Sequence, residues 1–164
     1  MKTDAIISED KKYRYVLSRI WDESKPIVMI MGLNPSTADA MNDDPTITKC
    51  INFAKSWGYG GVYMLNLFAF RTSNPQTMLD ADEPIGMEND KYLVEYSLKC
   101  DKVVCAWGND GSYKNRSSEI KSKLGNLYYL ALNKSGEPSH PLYLKSELVP
   151  IKFRDDEKIE LVNL

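Results

Sequence analysis

Continuous apolar runs along the chain predict the strands of a buried sheet. Residues 27–31 are all apolar and are followed by Gly32, which is typical of a strand that is covered on both faces. Residues 61–67, 103–107 and 127–132 contain three further apolar runs. We therefore predict four buried strands, with the strand at residues 27–31 in the centre of the sheet.

Two further segments predict outer strands. An extended chain over residues 13–21 places Tyr13, Tyr15 and Leu17 on one face and Arg14 on the other, which favours an early strand. The tail at residues 148–164 mixes short apolar pairs with charges. This pattern predicts an edge strand followed by a loop.

Helical signals separate the buried strands. Asp43 and Asp44 precede Pro45, a typical beginning of a helix, and apolar residues follow at helical spacing until Gly58. Residues 88–98 and 117–124 predict two more helices. The alternation of strands and helices predicts a three-layer α/β/α fold with a mostly parallel central sheet, in one domain over residues 1–164. Such sheets bind ligands at the carboxyl ends of their strands.

Composition and charge narrow the class of protein. The 164 residues carry 43% hydrophobic and 27% charged side chains, as one globular domain does. The net charge of −2 argues against a broad basic field, so we expect weak, salt-sensitive binding of nucleic acid through Lys145, Arg71 and Arg14. No apolar run approaches the roughly 20 residues that span a bilayer, and residues 1–10 lack a signal-peptide core. We predict a cytoplasmic protein without a membrane partner.

Neither the cysteines nor the acidic residues predict a metal or redox site. Three cysteines, at positions 50, 100 and 105, form no C-x-x-C pair, and their odd number suits packed thiols in a reducing compartment. The acidic group of Asp39, Asp43 and Asp44 offers oxygen ligands for a divalent cation. Helix capping by Asp43 or Asp44 explains it without a metal, so we predict none.

Polar or turn-forming residues follow each buried strand. In chain order they are Gly32, Asn34, Pro35, Ser36, Asn66, Gly108 and His140. Each of them alone fits ordinary turn chemistry. Because the carboxyl ends of parallel strands meet at one edge of a sheet, we expect these residues to converge on one rim.

Four short motifs, taken in order, resemble those of the uracil-DNA glycosylase superfamily. They are Gly-Leu-Asn-Pro at residues 32–35, Gly-Val-Tyr-Met-Leu-Asn at 61–66, Val-Val-Cys-Ala-Trp-Gly at 103–108 and His-Pro at 140–141. A second resemblance covers nearly the whole chain. Residues 13–15, 33–39, 43–46, 57–61 and 140–143 are similar to the bacterial and phage family catalogued as domain of unknown function 1643. That family has no settled activity, so it supports the fold more than a reaction.

The glycosylase resemblance implies roles for three residues. Asn34 takes the place of an asparagine that positions a water below the sugar. Asn66 takes the place of an asparagine that reads the edge of a pyrimidine base. His140 takes the place of a histidine that stabilises negative charge on a departing base. The ordinary alternatives are an Asn-Pro turn for Asn34, a loop cap for Asn66 and a structural role for His140.

The resemblance thus implies an N-glycosidase that releases a normal or modified base from nucleic acid or a nucleotide, without a cofactor. Asn34 and His140 would be catalytic. Eight further residues would bind the substrate, namely Gly32, Pro35, Ser36, Asn66, Arg71, Trp107, Gly108 and Tyr143. The alternative is a non-catalytic module that binds a nucleobase, a nucleotide or a partner protein, and a third possibility is another hydrolase or transferase.

Two departures from the glycosylase pattern bear on the substrate. Asn34 and Ser36 stand where the family-one enzymes carry an aspartate and a tyrosine, so uracil specificity is not implied. Residues 141–145 lack the serine-proline wedge that those enzymes press into the minor groove, although Leu142 and Tyr143 are possible wedges or stacking groups. Duplex DNA is therefore not implied as the substrate.

Overall fold

A computed structural model describes residues 1–154 and places seven strands of this part of the chain in one sheet. The strands are β1 (Lys2–Ile7), β2 (Arg14–Ile20), β3 (Ile27–Gly32), β4 (Gly61–Asn66), β5 (Val103–Cys105), β6 (Leu127–Tyr129) and β7 (Ile151–Lys152). Their order across the sheet is β1-β2-β4-β3-β5-β6-β7, so β3 lies at the centre, as predicted.

Helices connect the parallel strands. They are α1 (Pro45–Ser56), α2 (Pro75–Asp80), α3 (Asn89–Ser97) and α4 (Arg116–Lys123), and short 3₁₀ segments cover Asn109–Asn115 and Pro141–Tyr143. α1, α3 and α4 confirm the three predicted helices. α2 is not among the predicted helices, although Asn74 caps it and proline occupies its first turn.

The sheet is mixed, and the prediction of a mostly parallel sheet is wrong. β4, β3, β5 and β6 are parallel neighbours, whereas β1, β2 and β7 pair antiparallel at the two sides. The connection between β2 and β3 spans only residues 21–26, and a parallel crossover needs about a dozen residues or more. Apolar runs report the burial of a strand but not its direction.

A bulge in β2 changes which of its side chains share a face. Between Val16 and Arg14 the register with β1 shifts by one residue, which makes Tyr15 the extra residue. Tyr15 and Val16 therefore lie in one core cluster, while Leu17 lies in the cluster on the opposite face. The prediction that Leu17 shares a face with Tyr13 and Tyr15 is wrong, because the bulge breaks the alternation. Arg14 lies on the side of the sheet opposite Tyr13 and Tyr15, as predicted, and this is the side that carries Leu17.

Helices cover both faces of the sheet. On one face, α1 packs through Ile47 and Phe53 against strand residues that include Ile30. On the other face, α3 contributes Leu93 to a core that includes Met31, and α2 and α4 join the same cluster. Burial on both faces explains why the central strands appear as continuous apolar runs in the sequence.

The beginning and the end of α1 follow from local chemistry. Oδ1 of Asp44 accepts a hydrogen bond from the backbone N–H of Ile47 at 2.9 Å, and Pro45 occupies the first turn. Gly58, with a φ of +85°, follows the last turn and lets the chain reverse toward β4. The predicted capping by an aspartate and the predicted end by Gly58 are confirmed.

The remaining features concern the tail and the cysteines. The predicted edge strand is present as β7 beside β6, while residues 155–164 of the predicted tail lie outside the described residues. Cys50, Cys100 and Cys105 are buried, and none of them forms a disulfide bond among the described residues. Within residues 1–154, no helix has the length and apolar character to cross a membrane.

Candidate functional site

A pocket of about 460 Å³ opens at the edge where the parallel strands end. Ile30 of β3, Met64 of β4 and Ala106 after β5 form apolar parts of its lining. Polar residues from the loops and from the beginning of α1 line the rest. The volume lies within the roughly 300–1,000 Å³ that is usual for small-molecule sites.

The pocket brings together six of the predicted site residues. They are Gly32, Asn34, Ser36, Asn66, His140 and Tyr143. Tyr143 is 91% exposed, whereas Asn66 is 3% exposed, so the group extends from solvent to the interior. The six residues line one pocket, as a common site requires. Their chemical roles stay predictions.

Four other predicted site residues lie outside the pocket lining. The carbonyl oxygen of Pro35 accepts from the backbone N–H of Thr72, and Nη1 of Arg71 donates to the carbonyl oxygen of Lys11. Trp107 is buried, and its indole N–H donates to the buried carboxylate of Glu137. Gly108 has a φ of +79°, a conformation that favours glycine, and it turns the chain after β5.

The side-chain amide of Asn34 is fixed through its nitrogen. Nδ2 donates to the carbonyl oxygens of Thr72 at 2.9 Å and of Pro35 at 3.1 Å, with a longer contact of 3.4 Å to Phe70. Within the described part of the chain, no group donates to Oδ1. That oxygen is therefore the atom that Asn34 offers to a ligand. An amide oxygen can orient a water but is too weak a base to deprotonate it.

Asn66 presents a buried amide nitrogen that has no partner. Its Nδ2 finds no hydrogen-bond acceptor among residues 1–154. Buried donors are nearly always paired, because leaving one unpaired costs about 1–3 kcal/mol. A Cβ on Gly32 would lie only 2.8 Å from Oδ1 of Asn66, so glycine at this position makes room for the amide.

A buried asparagine on α3 fixes the chain at the end of β4. Nδ2 of Asn89 donates to the carbonyl oxygen of Asn66 at 2.9 Å and to that of Leu67 at 3.1 Å. The Leu67 carbonyl also accepts from Nε of Arg116 at 2.9 Å. Because these bonds use backbone oxygens, they hold Asn66 in place and leave its side chain to the pocket.

His140 lies at the exposed rim with a defined proton. Its Nδ1 accepts from the backbone N–H of Leu142 at 3.3 Å, so the neutral ring carries its proton on Nε2. Partial desolvation lowers the pKa of His140 below 6.5, and the carboxylate of Asp44 opposes that shift. A neutral imidazole with a free Nε2–H is suited to donate a hydrogen bond to a ligand oxygen.

Arg14, at the beginning of β2, places a guanidinium in the pocket wall. The residue is 4% exposed, and Nη1 donates to the carbonyl oxygen of Ala38 at 2.9 Å. Burial lowers the pKa of Arg14 to about 10, while Asp44 opposes the shift, so the side chain stays charged at neutral pH. The Asp44 oxygens accept from the backbone N–H groups of Ile47 and Ala38.

The acidic residues near the pocket have structural partners. Asp39 accepts from backbone amides of its own turn, and Asp43 accepts from Nε of Arg19 at 2.9 Å. Asp44 caps α1. In the part of the chain that the structure describes, no group of three or more His, Cys, Asp or Glu side chains could hold a metal ion.

Several residues of the pocket lining are not among the site residues predicted from the sequence. They are Arg14, Leu33, Asp44, Thr46, Thr72, Ser73 and Pro75. Arg14 is expected from the sequence only as a weak phosphate contact. Because β2 is antiparallel to β4, it is the first residue of β2 that lies at the carboxyl edge of the parallel strands. The positions of Asp44 and Thr46 in the sequence do indicate the site. They stand at the beginning of the helix that follows the central strand, which places them at the ligand-binding edge of the sheet.

The fold and the site define an α/β protein with a mixed sheet and a polar pocket at the carboxyl edge of its parallel strands. The chain belongs to the family described as protein of unknown function (DUF1643), whose sequence model matches residues 14–142. The matched range includes Asn34, Asn66 and His140. No curated protein and no solved structure matches the chain.

Proposed function

We propose that the pocket binds a nucleobase and that the protein hydrolyses the N-glycosidic bond between that base and its sugar. The observation that carries this proposal is the buried, unpartnered Nδ2 of Asn66 in the same pocket as His140. An amide facing a polar ring can both donate and accept, as a base edge requires. The resemblance to the uracil-DNA glycosylase superfamily, with its three-layer fold, supports the same assignment.

The proposed reaction uses Asn34 and His140 on opposite sides of the bond. Oδ1 of Asn34 accepts a hydrogen bond from a water and holds it near C1′ of the sugar. The water oxygen bonds to C1′ while the C1′–N bond breaks, and the bonding electron pair leaves with the base. A water proton reaches the base through solvent, which yields a free base and a sugar hydroxyl. Nε2–H of His140 stabilises the charge that develops on the base.

A second function, binding without catalysis, is favoured by one observation. Asp44 is the carboxylate of the described pocket lining, and both of its oxygens accept from backbone N–H groups. A general base with that arrangement is already occupied. In this second function the pocket holds a base or a nucleotide and no bond breaks.

A panel of substrates distinguishes the two functions. Nucleosides, nucleotides, single- and double-stranded DNA and RNA that carry natural or modified bases are incubated with the protein, and the free base is measured by mass spectrometry. Hydrolysis predicts release of at least one base by the wild type and its loss in Asn34→Ala. Binding without release supports the second function, and the absence of both binding and release overturns both.

We also propose a partner and a cellular location for the protein. The partner is a nucleotide or a nucleic acid that carries the recognised base. The proposed location is the cytoplasm, where a reducing medium keeps the three buried cysteines reduced.

A further inference from the structure

The guanidinium of Arg14 is buried without an ion pair in the described part of the chain. No carboxylate of residues 1–154 lies within 4.0 Å of it. Its one hydrogen bond goes to the Ala38 carbonyl oxygen, and its Nε has no partner among the same residues. A buried charge that lacks a partner is costly, so this group has unused capacity to bind an oxygen-rich ligand.

The charged residues near Arg14 leave its guanidinium able to bind an anion. The carboxylate of Asp44 attracts Arg14, but its two oxygens are held by the N–H groups of Ala38 and Ile47. Arg71 contributes a second positive charge close to Arg14, and its Nε is also buried without a partner among the described residues. Arg19, by contrast, is paired with Asp43. Arg14 is therefore the arginine of the pocket lining that has donors left for an anion, and Arg71 adds positive charge from outside that lining.

The bulge in β2 explains why Arg14 reaches the pocket. Because Tyr15 is the extra residue, the side chain of Arg14 extends over the face that carries Ile30 and Met64. Regular alternation would have placed Arg14 on the opposite face, with Val16. The buried cation and the apolar floor consequently belong to one cavity.

The burial of Arg14 favours the terminal phosphate of a single nucleotide over the phosphates within a polynucleotide. In a polynucleotide the phosphates join neighbouring sugars and remain outside a pocket that takes one base. A side chain that is 4% exposed cannot contact them easily, and the net charge of −2 disfavours a polyanion. A terminal phosphate on a single nucleotide can enter with its base, and a cavity of about 460 Å³ is of suitable size.

We propose that Arg14 forms an anion subsite and that the ligand of this pocket is a free nucleoside monophosphate. The phosphate oxygens bind the guanidinium of Arg14, and the base occupies the side of Asn66 and His140. The assignment of the base rests on the function proposed above, whereas the anion subsite rests on Arg14 alone. A carboxylate on a modified base is the other source of anionic oxygen, and the test includes it.

Calorimetric titration with matched ligands tests the subsite. The ligands are the common nucleoside 5′-monophosphates, the corresponding nucleosides, inorganic phosphate and a pyrimidine carboxylate. Wild-type protein should bind one monophosphate about 10- to 100-fold more tightly than its nucleoside, since a hydrogen bond to a charged group contributes that much. Arg14→Gln should remove the preference for the monophosphate over its nucleoside. Arg14→Lys should keep part of the preference for the monophosphate, because lysine keeps the positive charge but lacks the several N–H donors of the guanidinium.

Lys91→Gln is the matched control. It removes one positive charge from α3, which packs on the opposite face of the sheet, and it should leave the preference intact. Circular dichroism and thermal unfolding confirm the fold of each variant, and Arg14→Lys preserves the test if Arg14→Gln does not fold.

The possible outcomes separate the subsite from the function. Equal wild-type affinity for a nucleoside and its monophosphate overturns the subsite and leaves the base pocket standing. Binding of inorganic phosphate that Arg14→Gln abolishes, without binding of any base-containing ligand, supports the subsite and contradicts the proposed function. Tighter binding of the pyrimidine carboxylate overturns the nucleotide assignment. The absence of binding by every ligand overturns the whole proposal.

Discussion

Gly32 and Asn66 are partners at the ends of two parallel strands. They pair in register across β3 and β4, and a Cβ on Gly32 would lie 2.8 Å from Oδ1 of Asn66. The amide therefore occupies the space that a side chain at position 32 would take. Residue 32 controls where Asn66 points within the pocket.

The first prediction concerns this close approach. Gly32→Ala should displace the amide of Asn66 and weaken nucleotide binding about tenfold. It should also lower the free energy of unfolding by about 1–3 kcal/mol, because an added methyl group must be accommodated in a packed site. Calorimetric titration and denaturant unfolding measure the two effects.

Gly125→Ala provides the control for that experiment. No heavy atom lies within 4 Å of a Cβ built at Gly125, so this variant should change the free energy of unfolding by about 0.5 kcal/mol or less. Unchanged ligand affinity in Gly32→Ala would show that the position of Asn66 does not matter for binding.

The second prediction separates function from stability at two adjacent residues. Asn66→Ala removes an unpaired buried donor, so it should cost about 1 kcal/mol or less of unfolding free energy while it weakens base binding about tenfold. Leu65→Ala, at a residue with 0% exposure, should cost about 2–5 kcal/mol. Asn66→Asp should change which base is accepted, because an ionised carboxylate only accepts hydrogen bonds. Equal destabilisation by Asn66→Ala and Leu65→Ala would assign Asn66 to the core instead.

The third prediction concerns the pKa of His140. As the one histidine of the chain, His140 gives an unambiguous NMR titration, and its pKa should lie below 6.5. Asp44→Asn should lower that pKa further, because the carboxylate of Asp44 raises it, while asparagine still caps α1. A titration midpoint at or above 6.5, or an upward shift in Asp44→Asn, would contradict this description of the rim.

The same shift has a consequence for stability. The folded pKa is lower than the unfolded one, so protonation favours the unfolded chain. The contribution of His140 to the free energy of unfolding is therefore present above about pH 6.5, and it is lost as the pH falls through the lowered pKa of His140 in the folded protein. His140→Gln should reduce this part of the pH dependence, which denaturant unfolding at a series of pH values can measure.

The sequence predicts the interior of the fold better than its margins. The strands β3 and β4 and the helix α1 follow from apolar runs and from the Asp44-Pro45 cap, all of which are local signals. The strand β1 is not predicted, because its first residues are exposed and carry Lys2 and Asp4. Strand direction at the sides depends on short connections, which burial patterns do not report.

The candidate site is predictable where it follows the parallel strands. Asn34, Asn66 and His140 share the pocket because the carboxyl ends of these strands meet at one edge. The sequence pattern places Arg14 on the face opposite Tyr13 and Tyr15, but it does not show that β2 pairs antiparallel with β4, which brings Arg14 to the pocket. Long-range register, rather than a local motif, places the buried cation beside the amide.

The central claim is hydrolysis with a water positioned by Asn34, and single-turnover base release tests it most directly. On the substrate that the panel identifies, Asn34→Ala should slow release by about 100-fold or more while base binding stays nearly intact. His140→Ala should slow it by about 10²–10³, the typical effect of removing one donor to a developing charge, with some activity left. Circular dichroism confirms that each variant folds. Release by Asn34→Ala at the wild-type rate would contradict the proposed mechanism.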